Sequence, residues 1–290
     1  MKPRRLPDRA LWMDGAIVRG EQAAISLFDR GARDGEGIFE TLRIYERHPF
    51  QWRRHLERLV LAAAELGFPV PPHPAHLREA LDALLDAHEL RDAVARITVT
   101  RGIPGGRPTR TSCWIEIEPL GSRLWHGTRS GRASAVFSRR PFEPGSLGRY
   151  KTTSRLAYHL AREEARAAGV DEAILVSGAG EVLEGAVSNL FAVIDGAVLT
   201  PPLACGILPG LTRAFVLGAC AGLGVPAREE RLDRARLAQT DEVFLTNSVQ
   251  QVVPLVSIAG QPVPGRALGD RIGAAYRAAL ERAIRGGEED

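Results

Sequence analysis

Residues 94–100 and 113–118 alternate apolar and polar side chains with a period of two, the mark of half-buried strands. A loop over 102–111 joins them, with Gly105-Gly106-Arg107-Pro108 at its tip. Two stretches ahead of them repeat at the helical period instead. The first runs over 55–66 and stops at Gly67; the second runs over 75–90 and starts just after Pro74, a residue suited to a first helical turn. A sheet with helices against it follows, an α+β unit over residues 1–122. Pro119-Leu120-Gly121-Ser122 ends the pattern, and 127–131 is polar and rich in glycine, so a link is expected over 123–131. A larger domain over 132–290 then carries strands at 133–138, 173–176, 190–194 and 243–246. Its helices are expected at 154–168, after Pro209-Gly210, and at 266–285.

Length and composition narrow the class. The 290 residues, 44% hydrophobic and 25% charged, suit a globular chain with ample core. A net charge of +3 with scattered arginines gives no stripe for tracking phosphates, so no nucleic-acid partner is expected. Cys113, Cys205 and Cys220 are far apart and apolar in setting, which argues against a disulfide framework or a metal site. The N-terminus lacks the apolar stretch of a signal peptide, and the longest apolar run, 214–225, is too short to cross a bilayer. A cytoplasmic enzyme with no membrane contact is the expectation.

The cations are lopsided: two lysines stand against thirty-six arginines, and one lysine is Lys2. The other, Lys151, sits in Gly148-Arg149-Tyr150-Lys151-Thr152-Thr153-Ser154-Arg155-Leu156. Arginine stays protonated in any protein, whereas a lysine amine can lose its proton and attack a carbonyl. Lys151 is therefore either a Schiff-base lysine or a surface lysine left by compositional drift. Downstream, Glu184 lies in a small-residue turn between two strand-like pieces, where a carboxylate can point inward. Gly206-Ile207-Leu208-Pro209-Gly210-Leu211-Thr212-Arg213 reads as a glycine turn opening a helix, with the Leu211 and Thr212 amides and the Thr212 hydroxyl as an anion cup. Thr246-Asn247-Ser248 after an apolar strand offers a second cup. Arg58, in His55-Leu56-Glu57-Arg58-Leu59, reads by itself as part of a solvated helix face. A lysine, a carboxylate and an anion cradle are what a pyridoxal phosphate site requires.

Taken in order, these pieces resemble the class IV aminotransferases, the fold-type IV pyridoxal phosphate enzymes. That group contains branched-chain aminotransferases, D-amino acid aminotransferases and 4-amino-4-deoxychorismate lyases. The resemblance runs from Leu27-Phe28-Asp29-Arg30-Gly31 through Gly35-Glu36-Gly37-Ile38-Phe39-Glu40-Thr41-Leu42-Arg43 to Pro254, nearly the whole chain. It implies that Lys151 forms the aldimine, that Glu184 partners the ring nitrogen, and that Arg58 binds the phosphate. It implies further that Leu211, Thr212 and Ser248 complete the phosphate cup, beside which Asn247 stays a cofactor-binding candidate from the residues alone. The fold it implies is a small α/β sandwich domain and a larger pseudo-barrel domain with the cofactor between them, in a homodimer or larger homo-oligomer.

The branch is mixed in its residues. A D-amino acid enzyme of this group carries a tyrosine where this chain has Phe39 and an Arg-x-His where it has Arg107-Pro108-Thr109. A branched-chain enzyme carries Gly-Thr-Ala at Asn247-Ser248-Val249 and a tyrosine at Leu156. The lyases resemble the chain at Ser154-Arg155-Leu156, Asn247-Ser248 and Gly105-Gly106-Arg107, yet have a tyrosine at Thr109. Transamination between an amino acid and a 2-oxo acid is the first expectation; pyruvate release from aminodeoxychorismate is the alternative. A non-catalytic anion-binding α/β protein is the remote one. Phe39, Arg43 and Arg107 are the candidate substrate contacts, since an arginine fork matches a carboxylate.

Overall fold

The computed structural model describes residues 9–105, 112–125 and 132–286. Arg107 and most of the expected 123–131 link lie outside these residues. Contacts divide the chain into two units, and the division is not two continuous stretches. Unit 1 holds the chain up to Arg123 together with Lys151–Ser154 and the segment from Ala283; unit 2 holds Leu124–Tyr150 and Arg155–Arg282.

Unit 1 is built on six strands: β1 (Leu11–Met13), β2 (Ala16–Val18), β3 (Gly37–Tyr45), β4 (His48–Pro49), β5 (Ala93–Thr100) and β6 (Cys113–Pro119). Their order is β2-β1-β6-β5-β3-β4, antiparallel throughout. Helices α1 (Arg30–Arg33), α2 (Trp52–Glu65) and α3 (Pro74–Ala87) accompany the sheet. Ile38, Leu42, Ile44, Ile97, Val99, Ile115 and Ile117 are buried on the sheet face that meets α2 and α3, through Leu56, Leu59, Leu81 and Leu84. Period two then puts Phe39, Thr41, Arg43 and Tyr45 on the opposite face.

The expected helices shift at their ends for backbone reasons. Helix α2 begins at Trp52 because Gln51 (φ 57) turns the chain in the left-handed region, and α3 stops at Ala87 because Glu89 (φ 53) does so two residues later. Asp29 caps α1 with Oδ1 on the Gly31 amide at 2.7 Å, while Oδ2 accepts from Thr100 Oγ1 at 2.8 Å. A Cβ at Gly31 would sit 2.3 Å from Thr100 Cγ2, so only glycine lets α1 come this near the end of β5.

Unit 2 contains β7 (Ala133–Phe137), α4 (Leu156–Ala167), β8 (Glu172–Val176), β9 (Glu181–Gly185), β10 (Asn189–Ile194) and β11 (Ala197–Thr200). Then come α5 (Leu211–Gly222), β12 (Ala227–Glu229), β13 (Leu232–Asp233), α6 (Arg234–Leu237), β14 (Glu242–Asn247), β15 (Gln251–Ile258), β16 (Gln261–Pro262) and α7 (Ala267–Gly286). The strands form one sheet in the order β12-β11-β10-β14-β15-β7-β8-β9-β13, with β16 on β15. Although β9 and β10 do not pair, they touch, so the sheet bends back on itself. A single apolar cluster fills the inside of the bend, drawing Ala135, Ile174, Val182, Leu190, Leu199, Leu232, Leu245 and Leu255 from eight strands. The alternate residues of β8, Ala173 and Leu175, pack outward on Ala161 and Ala165 of α4.

Strand β15 escaped the sequence reading because Pro254 interrupts it, and proline within a run argues against a strand. It pairs β14 on one side and β7 on the other, with a register shift on the β7 side between Leu255 and Ser257. The chain is thus α+β, with a two-layer first unit and a bent sheet in the second. Among the described residues no helix is long and apolar enough to cross a membrane.

Candidate functional site

Lys151 belongs to unit 1 through backbone pairing, not through its own domain segment. Its carbonyl accepts from Phe39 N at 2.8 Å, Thr152 bridges Ile38, and Thr153 N donates to Gly37 O at 2.8 Å. Thr153 Oγ1 and Ser154 Oγ both donate to Gly35 O, at 2.9 and 3.0 Å. A Cβ on Gly37 would meet Thr153 Oγ1 at 2.7 Å, so the glycines of the first motif are what admit the lysine segment beside β3. The expected helix at 154 starts at Leu156 because residues 151–154 are taken up by this pairing.

The lysine's surroundings are aromatic and cationic. Its Nζ lies 4.8 Å from the centroid of the Phe39 ring, and the Arg96 guanidinium lies 3.7 Å from the same centroid. Cross-strand register explains the meeting. Phe39 faces Thr98, which faces Trp114, which faces Met13; the next rung is Thr41, Arg96 and Glu116. Arg43 lies farther along the same face with its guanidinium 4.4 Å from the Tyr45 centroid. Arg96 was not among the expected site residues. In sequence it is an arginine on the polar side of an alternating strand, which reads as solvent-facing.

On the opposite face of β3, Glu40 is buried at 1% exposure among Ile38, Leu42 and Ile44. Its Oε1 accepts from Arg58 Nε and its Oε2 from Arg58 Nη2, each at 2.7 Å, and Oε2 also meets His55 Nδ1 at 2.7 Å. Burial would raise the Glu40 carboxyl, but Arg58 and His55 outweigh it and hold it well below the usual carboxylate range. Burial pushes His55 down, against the pull of Glu40, and the charges of Arg58 and Lys151 push the same way. Arg58 therefore turns inward on α2 and is clamped bidentately, which corrects the solvated-face reading of its helix. Glu40 and His55 were legible in principle. A glutamate sharing the 38-40-42-44 side with Ile and Leu, and a His and Arg three apart on one helix, were the signals.

Unit 2 carries the other candidates. Glu184 stands on strand β9, not in a turn; the turn is the Gly185–Ser188 stretch after it. The side chain is buried at 4% exposure, and its Oε2 accepts from Asn189 Nδ2 at 3.2 Å and from Leu208 N at 3.1 Å. Asn189 also donates to Leu208 O at 2.9 Å, which ties the loop before α5 to the start of β10. A Cβ at Gly210 would come within 1.9 Å of Asn189 Oδ1, so glycine alone lets α5 begin here. No side chain caps that helix, and the first amides of an α-helix have no partner inside it.

Thr212, in the first turn of α5, is 2% exposed, and Thr246, opposite Asn189 across the β10–β14 ladder, is 1% exposed. The hydroxyls of both find no hydrogen-bond partner among the described residues. Native proteins seldom leave such groups unmet, and an open helix N-terminus beside them calls for an anion rich in acceptor oxygens. The residues present thus fit a phosphate-bearing cofactor. Asn247 uses its side chain within the protein: Nδ2 donates to Val187 O at 3.1 Å, and Oδ1 accepts from the amides of Val249 and Gln250 at 2.9 and 2.7 Å. Leu211 and Ser248 are half-buried, at the start of α5 and in the turn after β14.

Known proteins match this architecture. The family described as amino-transferase class IV matches residues 37–258. A putative branched-chain-amino-acid aminotransferase of Methanocaldococcus jannaschii is 32% identical over 268 residues, covering 90% of this chain and 91% of that one. An aminodeoxychorismate lyase of Bacillus subtilis is 30% identical over 259 residues, 86% of each chain. Among solved structures, the branched-chain aminotransferase of Thermoproteus uzoniensis superposes with a TM-score of 0.83 at 30% identity, over 97% of this chain and 96% of that one. The profile match and the full-length relatives leave one conclusion: the chain belongs to the class IV aminotransferase family, the fold-type IV enzymes that depend on pyridoxal phosphate.

Proposed function

We propose that this enzyme moves the amino group between an apolar amino acid of the branched-chain type and a 2-oxo acid. The observation that carries the reading is the Phe39 ring, with Lys151 Nζ at 4.8 Å and the Arg96 guanidinium at 3.7 Å. A substrate amine that reaches Lys151 would have its carboxylate within the span of that ring from an arginine fork. The rung of Phe39, Thr98, Trp114 and Met13 offers apolar surface for a side chain, and Arg43 is a second cation on the same face. Arg107 stays in the proposal as a sequence-based contact outside the described residues. A homodimer is part of the same proposal, from the family resemblance.

Pyridoxal phosphate, when bound, supplies a carbonyl that condenses with amines and a ring that draws electrons from the bonds at Cα. The remaining work falls to side chains. In this reading Lys151 would hold the cofactor, and its amine, once free, would take the Cα proton and give it back. Glu184 would face the ring nitrogen and favour its protonated form. Arg58, Leu211, Thr212 and Ser248 would hold the phosphate, and Thr246, the other hydroxyl of the 246–248 cup, would join them. Asn247 shapes the cup through Val187 and the 248–250 turn.

The lyase is the second reading, favoured by the similarity to the Bacillus subtilis lyase and by Asn247-Ser248. Family membership disposes of the non-catalytic anion-binding protein. An absorption spectrum of the purified protein, before and after single L- and D-amino acids without oxo acid, separates the branches. Conversion of the visible band by L-leucine or L-valine supports the proposal. Conversion by D-alanine alone moves the enzyme to the D-amino acid branch. A band unmoved by every amino acid, with pyruvate released from aminodeoxychorismate, makes it a lyase. Lys151→Ala is expected to lose the visible band and nearly all turnover; a variant that keeps both sinks the assignment of the lysine.

A further inference from the structure

The Gly185–Ser188 turn, directly after Glu184, is gripped by two charged residues that the cofactor reading does not use. On one side stands Glu172 of β8, with no exposed surface. Its Oε2 accepts from Ser188 Oγ at 2.9 Å and from Val187 N at 3.1 Å, and its Oε1 from Ala173 N at 3.0 Å. A Cβ on Gly185 would meet Ser188 Oγ at 2.2 Å and Glu172 Oε2 at 2.9 Å, so the chain closes round that carboxylate only as glycine.

On the other side is Arg155, the residue ahead of α4. Its Nη2 donates to Ala186 O at 3.0 Å, and its guanidinium lies 3.7 Å from the centroid of the Tyr158 ring. Tyr158 is wedged edge-on against Phe142 at 4.7 Å and shares a hydrogen bond with Arg155. Two buried carboxylates, Glu172 and Glu184, therefore flank a four-residue turn whose carbonyl holds a guanidinium.

Carboxylates held away from water favour the protonated form unless hydrogen bonds or a cation oppose it. Arg155 interacts with both Glu184 and Glu172; Arg162 of α4 also acts on Glu172. Burial pushes Tyr158 up to about 12, and the Glu184 charge adds to it, so the phenol stays neutral and brings no negative charge to the guanidinium. Glu172 is pushed up by burial and drawn back by its three hydrogen bonds.

We propose that Arg155, stacked on Tyr158 and anchored on the Ala186 carbonyl, is a positioning residue that keeps Glu184 charged and oriented for the ring nitrogen of the cofactor. The inference rests on the role given to Glu184 above. It gives Tyr158 a purpose as the platform of the guanidinium.

The test is a pH titration of the visible absorption of the holoenzyme, with cofactor retention measured alongside. A ring nitrogen that loses its proton withdraws fewer electrons, so the lysine-bound nitrogen keeps its own proton to higher pH. Arg155→Gln, which can still donate to Ala186 O, is expected to raise the titration midpoint by roughly 1 unit. Arg155→Lys, which keeps the charge, should stay close to the wild-type midpoint. An unmoved midpoint in Arg155→Gln, or an equal rise in Arg155→Lys, overturns the proposal. Should Arg155→Gln fail to fold, Tyr158→Phe loosens the guanidinium without removing it; a smaller rise supports the inference and no rise overturns it. Glu184→Gln separates the two levels. If it moves the midpoint and Arg155→Gln does not, only the role of Arg155 falls; if Glu184→Gln leaves the midpoint in place, the role of Glu184 falls with it.

Discussion

Two buried polar clusters in this protein are finished to different degrees. In unit 1, Glu40, His55 and Arg58 meet one another in three contacts of 2.7 Å. In unit 2, Thr212 Oγ1 and Thr246 Oγ1 are as deeply buried and have no partner among the described residues. The carboxylate of the first cluster is met by the chain itself; the hydroxyls of the second are left open, and the proposed phosphate would meet them. A satisfied network contributes to folding and fixes the arginine before anything binds. An unsatisfied one costs stability in the free protein, and binding offsets that cost.

Breaking the first cluster should have the largest effect. Glu40→Ala leaves Arg58 and His55 without their shared acceptor, and losing one member of a buried ion pair costs about 3–5 kcal/mol. Denaturant unfolding of the cofactor-free protein should show that loss. A change within a few tenths of a kcal/mol would mean the cluster is loosely held, and the contrast with the cup would go.

Acid should probe the same cluster more gently. His55 is held below its ordinary 6.5, and Glu40 below its ordinary 4.5. The unfolded chain therefore binds more protons than the folded one. Stability is full above these values and is lost as pH falls, first in the window below 6.5 through His55 and then below 4.5 through Glu40. Glu172, pushed up by burial, works in the opposite sense and blunts the loss. Thermal melts should lose less stability below 4.5 in Glu40→Ala than in the wild type, while the loss below 6.5 through His55 persists, since Glu40 no longer pulls that imidazole up; parallel slopes below 4.5 would contradict the assignment.

The cup should respond in binding and not in folding. Thr212→Val removes a buried hydroxyl without a partner, so the free protein should be as stable as before or slightly more so. Cofactor affinity should fall by about 1.5–3 kcal/mol, the range for a hydrogen bond to a charged group. Thr246→Val should act in the same direction and more weakly, since Thr246 stands on β14 and not in the first turn of α5. Equilibrium dialysis of the cofactor checks both. A variant that unfolds the protein and leaves affinity unchanged would make these hydroxyls structural.

Much of this was legible in the chain. The alternation of 94–100 and 113–118 marked β5 and β6, and Pro209-Gly210 marked the start of α5. What period and punctuation could not show were partnerships across long separations. Glu40 and Arg58 are 18 residues apart, and an arginine on a helix looks solvated until the strand beneath it is in place. Arg96 looked solvated for the same reason. Glu184 was read into a turn because Gly185-Ala186 follows it, whereas the strand continues through Gly185 to pair with β8.

By itself, then, the sequence determined the kinds of chemistry available: one lysine within the fold among arginines, a glycine-opened helix, a carboxylate among small residues, and motifs in a family's order. These are local properties, set by residue type and spacing. Only the tertiary structure decided which groups are already satisfied and which are not. It paired 151–154 with β3 and not with the unit that surrounds them in sequence, clamped Arg58 on Glu40, and buried two threonine hydroxyls without partners among the described residues. The physical reason is that desolvation and hydrogen-bond completion depend on what the rest of the chain packs against a group, and no local pattern records that.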